Sequence, residues 1–229
     1  SAFENCTSLT SVIIPQKVKV LSWNAFKGCT SLSSISILAS DIEIWGSAFY
    51  NTAYYNDSSN WEGDVLYIGN HLIKASKSIS GSYTVKTGTK TIAASAFFEC
   101  TSLRSVVIPE GVTIIGQQAF DYCDFLNSVT LPDSLKHIGR YAFSGTVLYD
   151  VYSDNWDNKV FYIDDYLIDA KDTITGDYQI KDTTKGIASN AFLGCYDITS
   201  VIIPEGVEFI SSGAFQNCSS LESVSLPSS

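Results

Sequence analysis

Residues 96–109 read A-F-F-E-C-T-S-L-R-S-V-V-I-P, and the fold turns on this stretch. Leu103, Val106 and Ile108 are apolar, and Ser105 stands between them. Val106 and Ile108 are two apart, so in an extended chain both side chains fall on one face. Pro109 has no N–H to give a sheet ladder, so the strand ends there. The same frame runs through Leu9, Val12, Ile14 and Pro15, and again through Ile198, Val201, Ile203 and Pro204. The Ala-Phe pair that opens it occurs eight times, with phenylalanines at 3, 26, 49, 97, 120, 143, 192 and 215. The spacings are 23, 23, 48, 23, 23, 49 and 23 residues. A second period lies above the first, because Phe3 to Phe97 is 94 residues and Phe97 to Phe192 is 95.

A period of 23 residues is too short for a domain, and one coil cannot bury its own apolar edge. Stacked coils can, so the pattern predicts a solenoid with ladders of equivalent side chains. After each strand come Val18, Leu21, Ala25, Phe26 and Cys29 or their equivalents. Ala25, Phe26 and Cys29 suit a short helical or 3-10 return, since residues three apart share a helix face. The expected architecture is an α/β solenoid, a right-handed coil of roughly ten turns with one short strand per 23-residue repeat. It forms one domain over residues 1–229.

The two wide spacings hold long repeats, about 50–96 and 144–191. They match each other at an offset of 95: Tyr54 with Tyr149, Asn60 with Asn155, Trp61 with Trp156 and Tyr67 with Tyr162. Residues 65–75 read as a β-hairpin around Gly69-Asn70, and residues 160–170 as its copy around Asp164-Asp165. Insertions in solenoids usually gather on one face, often the binding face. Tyr54, Trp61, Tyr149 and Trp156 are therefore candidate binding residues. The competing reading is that the tryptophans plug a wider coil.

The phrase Ala-Phe-x-x-Cys-x-x-Leu-x-x-Val-x-Ile-Pro resembles the BspA-type (Treponema pallidum-type) leucine-rich repeat. The resemblance covers almost the whole chain. The Asn or Cys that many leucine-rich repeats carry after the last strand aliphatic is replaced by Lys17, Gly111 and Gly206. The resemblance implies a leucine-rich-repeat fold and a secreted or cell-surface protein engaged in adhesion.

Composition narrows the function classes. The net charge is −10, with 24 acidic and 14 basic residues. Nucleic acid and anionic membranes reward basic surfaces, so neither is an expected partner. No apolar run is long enough to span a bilayer. Residues 1–6 carry no signal-peptide pattern, and the chain has no Met. The chain begins mid-coil at Ser1-Ala2-Phe3 and stops at a strand end, Leu226-Pro227. Open ends predict further repeats in a longer parent, or end-to-end stacking.

Residue types that look chemical are in register with the core. Cys6, Cys29, Cys100, Cys123, Cys195 and Cys218 each fall three residues after an Ala-Phe phenylalanine. That position predicts buried free thiols, although neighbouring coils bring paired cysteines within disulfide reach. No C-x-x-C pair is present for zinc or redox work. His71 and His137 occupy unrelated repeat positions, and both are expected at the surface. Asp57, Asp64, Asp154, Asp157, Asp164 and Asp165 lie around the insertions without a calcium-loop spacing, so they read as solvated loop acids. No catalytic residue, metal or cofactor is expected.

The strands offer a second candidate surface. With Val12 and Ile14 inward, Ser11 and Ile13 point outward. The outward candidates are Ser11, Ile13, Ser105, Val107, Thr130, Ser200 and Ile202. This face is small-hydroxyl and uncharged, with one β-branched aliphatic residue per 94- or 95-residue block. Its aliphatic residues are also ordinary strand formers. Two partners follow: a protein ligand, such as a host-matrix or bacterial surface protein, or a glycan stacked on the long-repeat aromatics. A structural spacer is the third reading.

Overall fold

Each regular coil contributes two strands rather than one. The computed structural model describes residues 1–150 and 153–226; Pro227 lies outside them. The predicted strands form, at Ser11–Ile14, Ser34–Ile37, Leu103–Val107, Ser128–Thr130, Asp197–Ile202 and Ser223–Ser225. They pair in parallel between successive coils, Ser11 opposite Ser34, Ser105 opposite Ser128 and Ser200 opposite Ser223. A second, two-residue strand follows the turn after the first, at Val20–Leu21, Glu43–Ile44, Thr91–Ile92, Ile114–Ile115 and His137–Ile138, for example. These stack into a second parallel ladder, such as Ile115 opposite Ile138. The two faces come from two apolar clusters, Val12/Ile14 and Val18/Leu21, separated by the Pro15 turn.

The helical return is corrected. The Ala-Phe segment is a run of tight turns, because two residues per coil sit in the left-handed region. One precedes the Ala: Asn24 (φ 58°), Gln118 (φ 55°) and Asn190 (φ 61°) are examples. The other follows the Phe by two: Asn5 (φ 60°), Gly28 (φ 73°) and Tyr122 (φ 57°). A right-handed helix cannot carry a left-handed residue every few positions. Backbone groups pair between coils instead. The N–H of Phe26 donates to Ala48 C=O at 2.8 Å, and that of Phe120 to Ala142 C=O at 2.8 Å. The solenoid is thus mostly strand and turn. Close stacking also excludes side chains at some positions, since a Cβ on Gly116 would stand 2.4 Å from the Ala94 nitrogen.

The phenylalanine ladder forms as the 23-residue period requires. Phe97, Phe120 and Phe143 stack at centroid distances of 4.8 and 5.3 Å, interplanar angles 14° and 4°. The thiols take the third side of the core. Cys29 Sγ donates to Phe3 C=O at 3.0 Å, Cys123 to Phe97 at 3.1 Å and Cys218 to Phe192 at 3.1 Å. All six cysteines are free; Cys6, in the first coil, is exposed. Burial pushes the Cys123 and Cys195 thiols up to about 12, which keeps them protonated.

The long-repeat hairpins form where the sequence places them, as Val65–Ile68 with His71–Ala75 and Val160–Ile163 with Tyr166–Ala170. A short antiparallel strand precedes each, Trp61–Glu62 and Trp156–Asp157. They are not displayed on a face. Each lies across the solenoid as a wall with both sides buried. Leu66, Ile68 and Ile73 pack into the apolar cluster of the preceding coils. Val65, Tyr67, Leu72 and Ala75 pack into that of the following coils. The second hairpin repeats this, with Phe161, Ile163 and Ile168 on one side and Val160, Tyr162 and Leu167 on the other. The unbroken apolar runs explain it, because alternation is lost when both faces of a strand are covered. With each wall inside a long coil rather than counting as its own, the described residues make about nine turns.

Candidate functional site

The outward strand residues lie as expected. Ile13 is 66% exposed, Val107 44% and Ile202 48%, each from a different block. Ser11 and Thr130 are exposed, and Ser105 and Ser200 are half-buried between neighbouring coils. Parallel pairing sets a hydroxyl beside a polar partner in the next coil, and at Asp177 that partner is charged. Ser105 Oγ donates to Ser82 Oγ at 2.7 Å, and Ser200 Oγ donates to Asp177 Oδ1 at 2.6 Å. These bonds hold the Asp177 carboxyl below its ordinary range, Ser200 first and Thr199 second. The ladder is not continuous. It is split into a two-stranded and two three-stranded sheets, with the long repeats in between.

The long-repeat residues separate into different roles. In the first copy, Thr52 caps a short helix, Ala53–Asn56, by accepting from the Tyr55 N–H at 3.1 Å. In the second, Thr146 caps a 3-10 turn, Val147–Tyr149, by accepting from the Tyr149 N–H at 3.3 Å. Trp61 Nε1 donates to Tyr55 C=O and Trp156 Nε1 to Tyr149 C=O. The structural counterpart of Tyr149 is therefore Tyr55, at an offset of 94, and not Tyr54; one residue is added between Tyr149 and Trp156. Tyr54 is half-buried and its hydroxyl donates to Tyr67 C=O at 3.1 Å.

The two tryptophans are not equivalent either. Trp156 is enclosed by Tyr149 and Phe161, with centroids 5.3 and 5.4 Å away, and by the Lys171 ammonium 4.7 Å from its ring. Trp61 meets Tyr55 edge-on at 5.5 Å, and Tyr55 meets Tyr50 at 5.4 Å. These rings, with Trp45 and Phe49, wall an open cavity of about 700 Å³ at the first long repeat. The equivalent cavity of the second is about 20 Å³. Lys74 lies in the larger cavity and donates from Nζ to Ser95 C=O at 2.6 Å. Burial pulls its pKa down. Its counterpart at an offset of 95 is Asp169, which accepts from the Tyr149 hydroxyl. Burial lifts the Asp169 carboxyl to about 6, opposed by the hydrogen bonds from Tyr149 and Ala170 and by the Arg140 charge.

Sequence reasoning missed Lys74, Trp45 and Tyr50. Only the absence of an aligned partner marked them, since Lys74 faces Asp169 in the repeat alignment and Trp45 faces Gly139. His71 is also corrected. It is 1% exposed, because the strand it opens pairs on both edges, and burial lowers its pKa. His137 is half-buried, 3.9 Å from Glu43. Several insertion aspartates have structural uses. Asp57 accepts from the Ser59 N–H at 2.9 Å, Asp164 from the Leu131 N–H at 2.9 Å, and Asp165 lies 3.5 Å from Lys185. Among the described residues no helix is long and apolar enough to cross a membrane.

The profile of the BspA type Leucine rich repeat region matches in six copies, over residues 1–81, 67–174 and 171–229. No curated protein matches. Among solved structures, the chain is similar to a leucine rich cell surface protein from Faecalibacterium prausnitzii at 21% identity and TM-score 0.41, covering 98% of this chain and 61% of that one. It is also similar to the Treponema pallidum leucine rich repeat protein, at 24% identity and TM-score 0.37, over 69% of this chain and 75% of that one. The pneumococcal vaccine antigen PcpA matches at 17% and TM-score 0.40, over 94% of this chain and 56% of that one.

Proposed function

We propose that this chain, which belongs to the BspA-type leucine-rich-repeat family, is a non-enzymatic protein-interaction segment of a cell-surface or secreted protein. Its finer role is adhesion to host-matrix or bacterial surface proteins. The observation that carries this is the long-strand face. It presents hydroxyls in register, with Ile13, Val107 and Ile202 standing well out of it, one per block. A protein partner is favoured because the three aliphatic residues stand on three separate sheets, 94 and 95 residues apart along the chain, a spread that suits a macromolecular surface. Protein interfaces bury on the order of 800 Å² per side, and a few well-packed residues near the centre of such an interface supply most of the energy.

The test is binding of purified matrix proteins and bacterial surface proteins to the immobilised chain. Ile202→Lys and Val107→Lys place a charge on the exposed face without touching the core. Each is expected to weaken saturable binding by about tenfold or more and to leave the melting temperature within about 1 °C. Trp61→Ala is expected to bind as wild type. Binding unchanged in both lysine variants overturns the reading, as does an absence of saturable binding across the panel.

A further inference from the structure

The two long repeats differ at one place in a way that points to a ligand. In the second repeat a cation and an anion from the chain itself fill the space. Arg140 enters from the turn, and Asp169 and Tyr149 close the other side, leaving about 20 Å³. In the first repeat the position of Arg140 is Gly46 and that of Asp169 is Lys74, 94 and 95 residues earlier. Gly46 carries no plug, and a Cβ there would stand 2.4 Å from the Trp23 ring, so a side chain enters only if that ring shifts. The space opens to about 700 Å³. The charge on the strand side is reversed and its partner from the turn side is missing.

Lys74 makes no salt bridge among the described residues, and its only direct polar contact there is the Ser95 carbonyl. A half-buried ammonium without a counter-ion gains from an anion brought to it. Lys77, beside it, is already paired with Glu99. The rest of the wall is aromatic and aliphatic, Ser47, Asn56, Ser58 and Ser76 add hydroxyl and amide groups, and the one carboxylate in the lining, Asp64, is engaged by the Ser78 hydroxyl, which donates to it at 2.8 Å. Aromatic surface beside small hydroxyl and amide groups suits a ring that is apolar on its faces and hydroxylated at its edge.

We propose that this cavity binds an acidic sugar residue, with its carboxylate against Lys74 and its ring against Trp45, Tyr50, Tyr55 and Trp61. An acidic peptide would satisfy the ammonium but leave the hydroxyl rim unused. The site is separate from the long-strand face. Either can fail without the other.

The test is intrinsic tryptophan fluorescence of the whole chain titrated with methyl glucuronide, methyl glucoside and a short Asp/Glu peptide capped at both ends. Trp45 and Trp61 lie in the wall and report directly. Methyl glucuronide is expected to bind about tenfold or more tightly than methyl glucoside, the factor a charged hydrogen bond supplies. Lys74→Gln should bring the two sugars to equal affinity, and Asp169→Lys in the closed repeat should leave the preference intact. The wild-type comparison of the two sugars stands even if Lys74→Gln fails to fold. Equal affinity of the sugars for wild type overturns the proposal, as does binding of neither sugar. Binding of the peptide in preference to methyl glucuronide overturns it in favour of a protein ligand.

Discussion

Replacing Phe120 by Ala tests the stacking that holds the solenoid together. Phe120 is fully buried and stacks on Phe97 at 4.8 Å and on Phe143 at 5.3 Å. Removing the ring forfeits about 1.5–3 kcal/mol of apolar burial and two stacked contacts of about 0.5–1.5 kcal/mol each. Those figures bracket the roughly 3–5 kcal/mol of a buried Phe→Ala change. The ladder cannot close the gap, because the backbone bonds between coils, Phe97 N–H to Ala119 C=O and Phe120 N–H to Ala142 C=O, fix the coil spacing independently of the rings. Phe3→Ala is the internal control. Phe3 is 48% exposed and, among the described residues, stacks on Phe26 alone, at 5.0 Å, so about 1–2 kcal/mol is expected. The assay is urea unfolding at equilibrium, followed by circular dichroism and tryptophan fluorescence, with two-state analysis applied where the curves coincide. A cost for Phe120→Ala below about 1.5 kcal/mol, or equal to that of Phe3→Ala, would refute the ladder as the principal source of cohesion.

Two further outcomes follow from the buried polar groups. Denatured, unreduced protein should titrate six thiols, while native protein near pH 8 should react quickly only at the exposed Cys6; fewer than six thiols in the denatured sample would mean that neighbouring coils are bridged. Asp169 has a folded pKa of about 6 against an ordinary 3.8, raised chiefly by burial. The folded state then holds this proton more tightly than the unfolded state, so its contribution is most favourable below about pH 4 and is lost as pH rises toward about 6. Asp169→Asn, which still accepts from Tyr149, should flatten that part of the stability-versus-pH curve and raise the melting temperature at neutral pH; an unchanged pH dependence would show that Asp169 ionises normally.

The frame of the fold was legible because it is one-dimensional. Leu103, Val106, Ile108 and Pro109 recur at a fixed period, and a period is visible without knowing any contact. The long-repeat hairpins were legible from their turns. Their place in the molecule was not, although 65–68 and 160–163 show no alternation, and such runs are the mark of strands covered on both sides. The helical return was misread because Ala-Phe-x-x-Cys has helical spacing. The left-handed residues that break it were partly legible, since the position two after the Phe is Asn or Gly in six of its eight copies; Glu99, Gln118 and Tyr122 carry no such mark. His71 looked like a turn-flanking surface residue for the same reason the hairpin looked displayed.

The candidate sites divide in a similar way. The exposed row of Ser11, Ile13, Val107, Thr130 and Ile202 could be read from strand alternation alone. The cavity at the first long repeat could not. It depends on Trp45, Tyr50, Tyr55, Trp61 and Lys74 meeting from separated parts of one long coil, and on what the equivalent residues do one block later.

The sequence by itself determined the period, the stacked ladders of Phe and Cys, and the outward face, because each follows from local spacing repeated many times. The tertiary structure decided which side of each hairpin is buried, which tyrosine is equivalent to which, and why one long repeat is closed and the other open. The first two follow from packing and from one added residue; the last turns on the substitutions Gly46 for Arg140 and Lys74 for Asp169, whose effect appears only where the chain brings the two positions together.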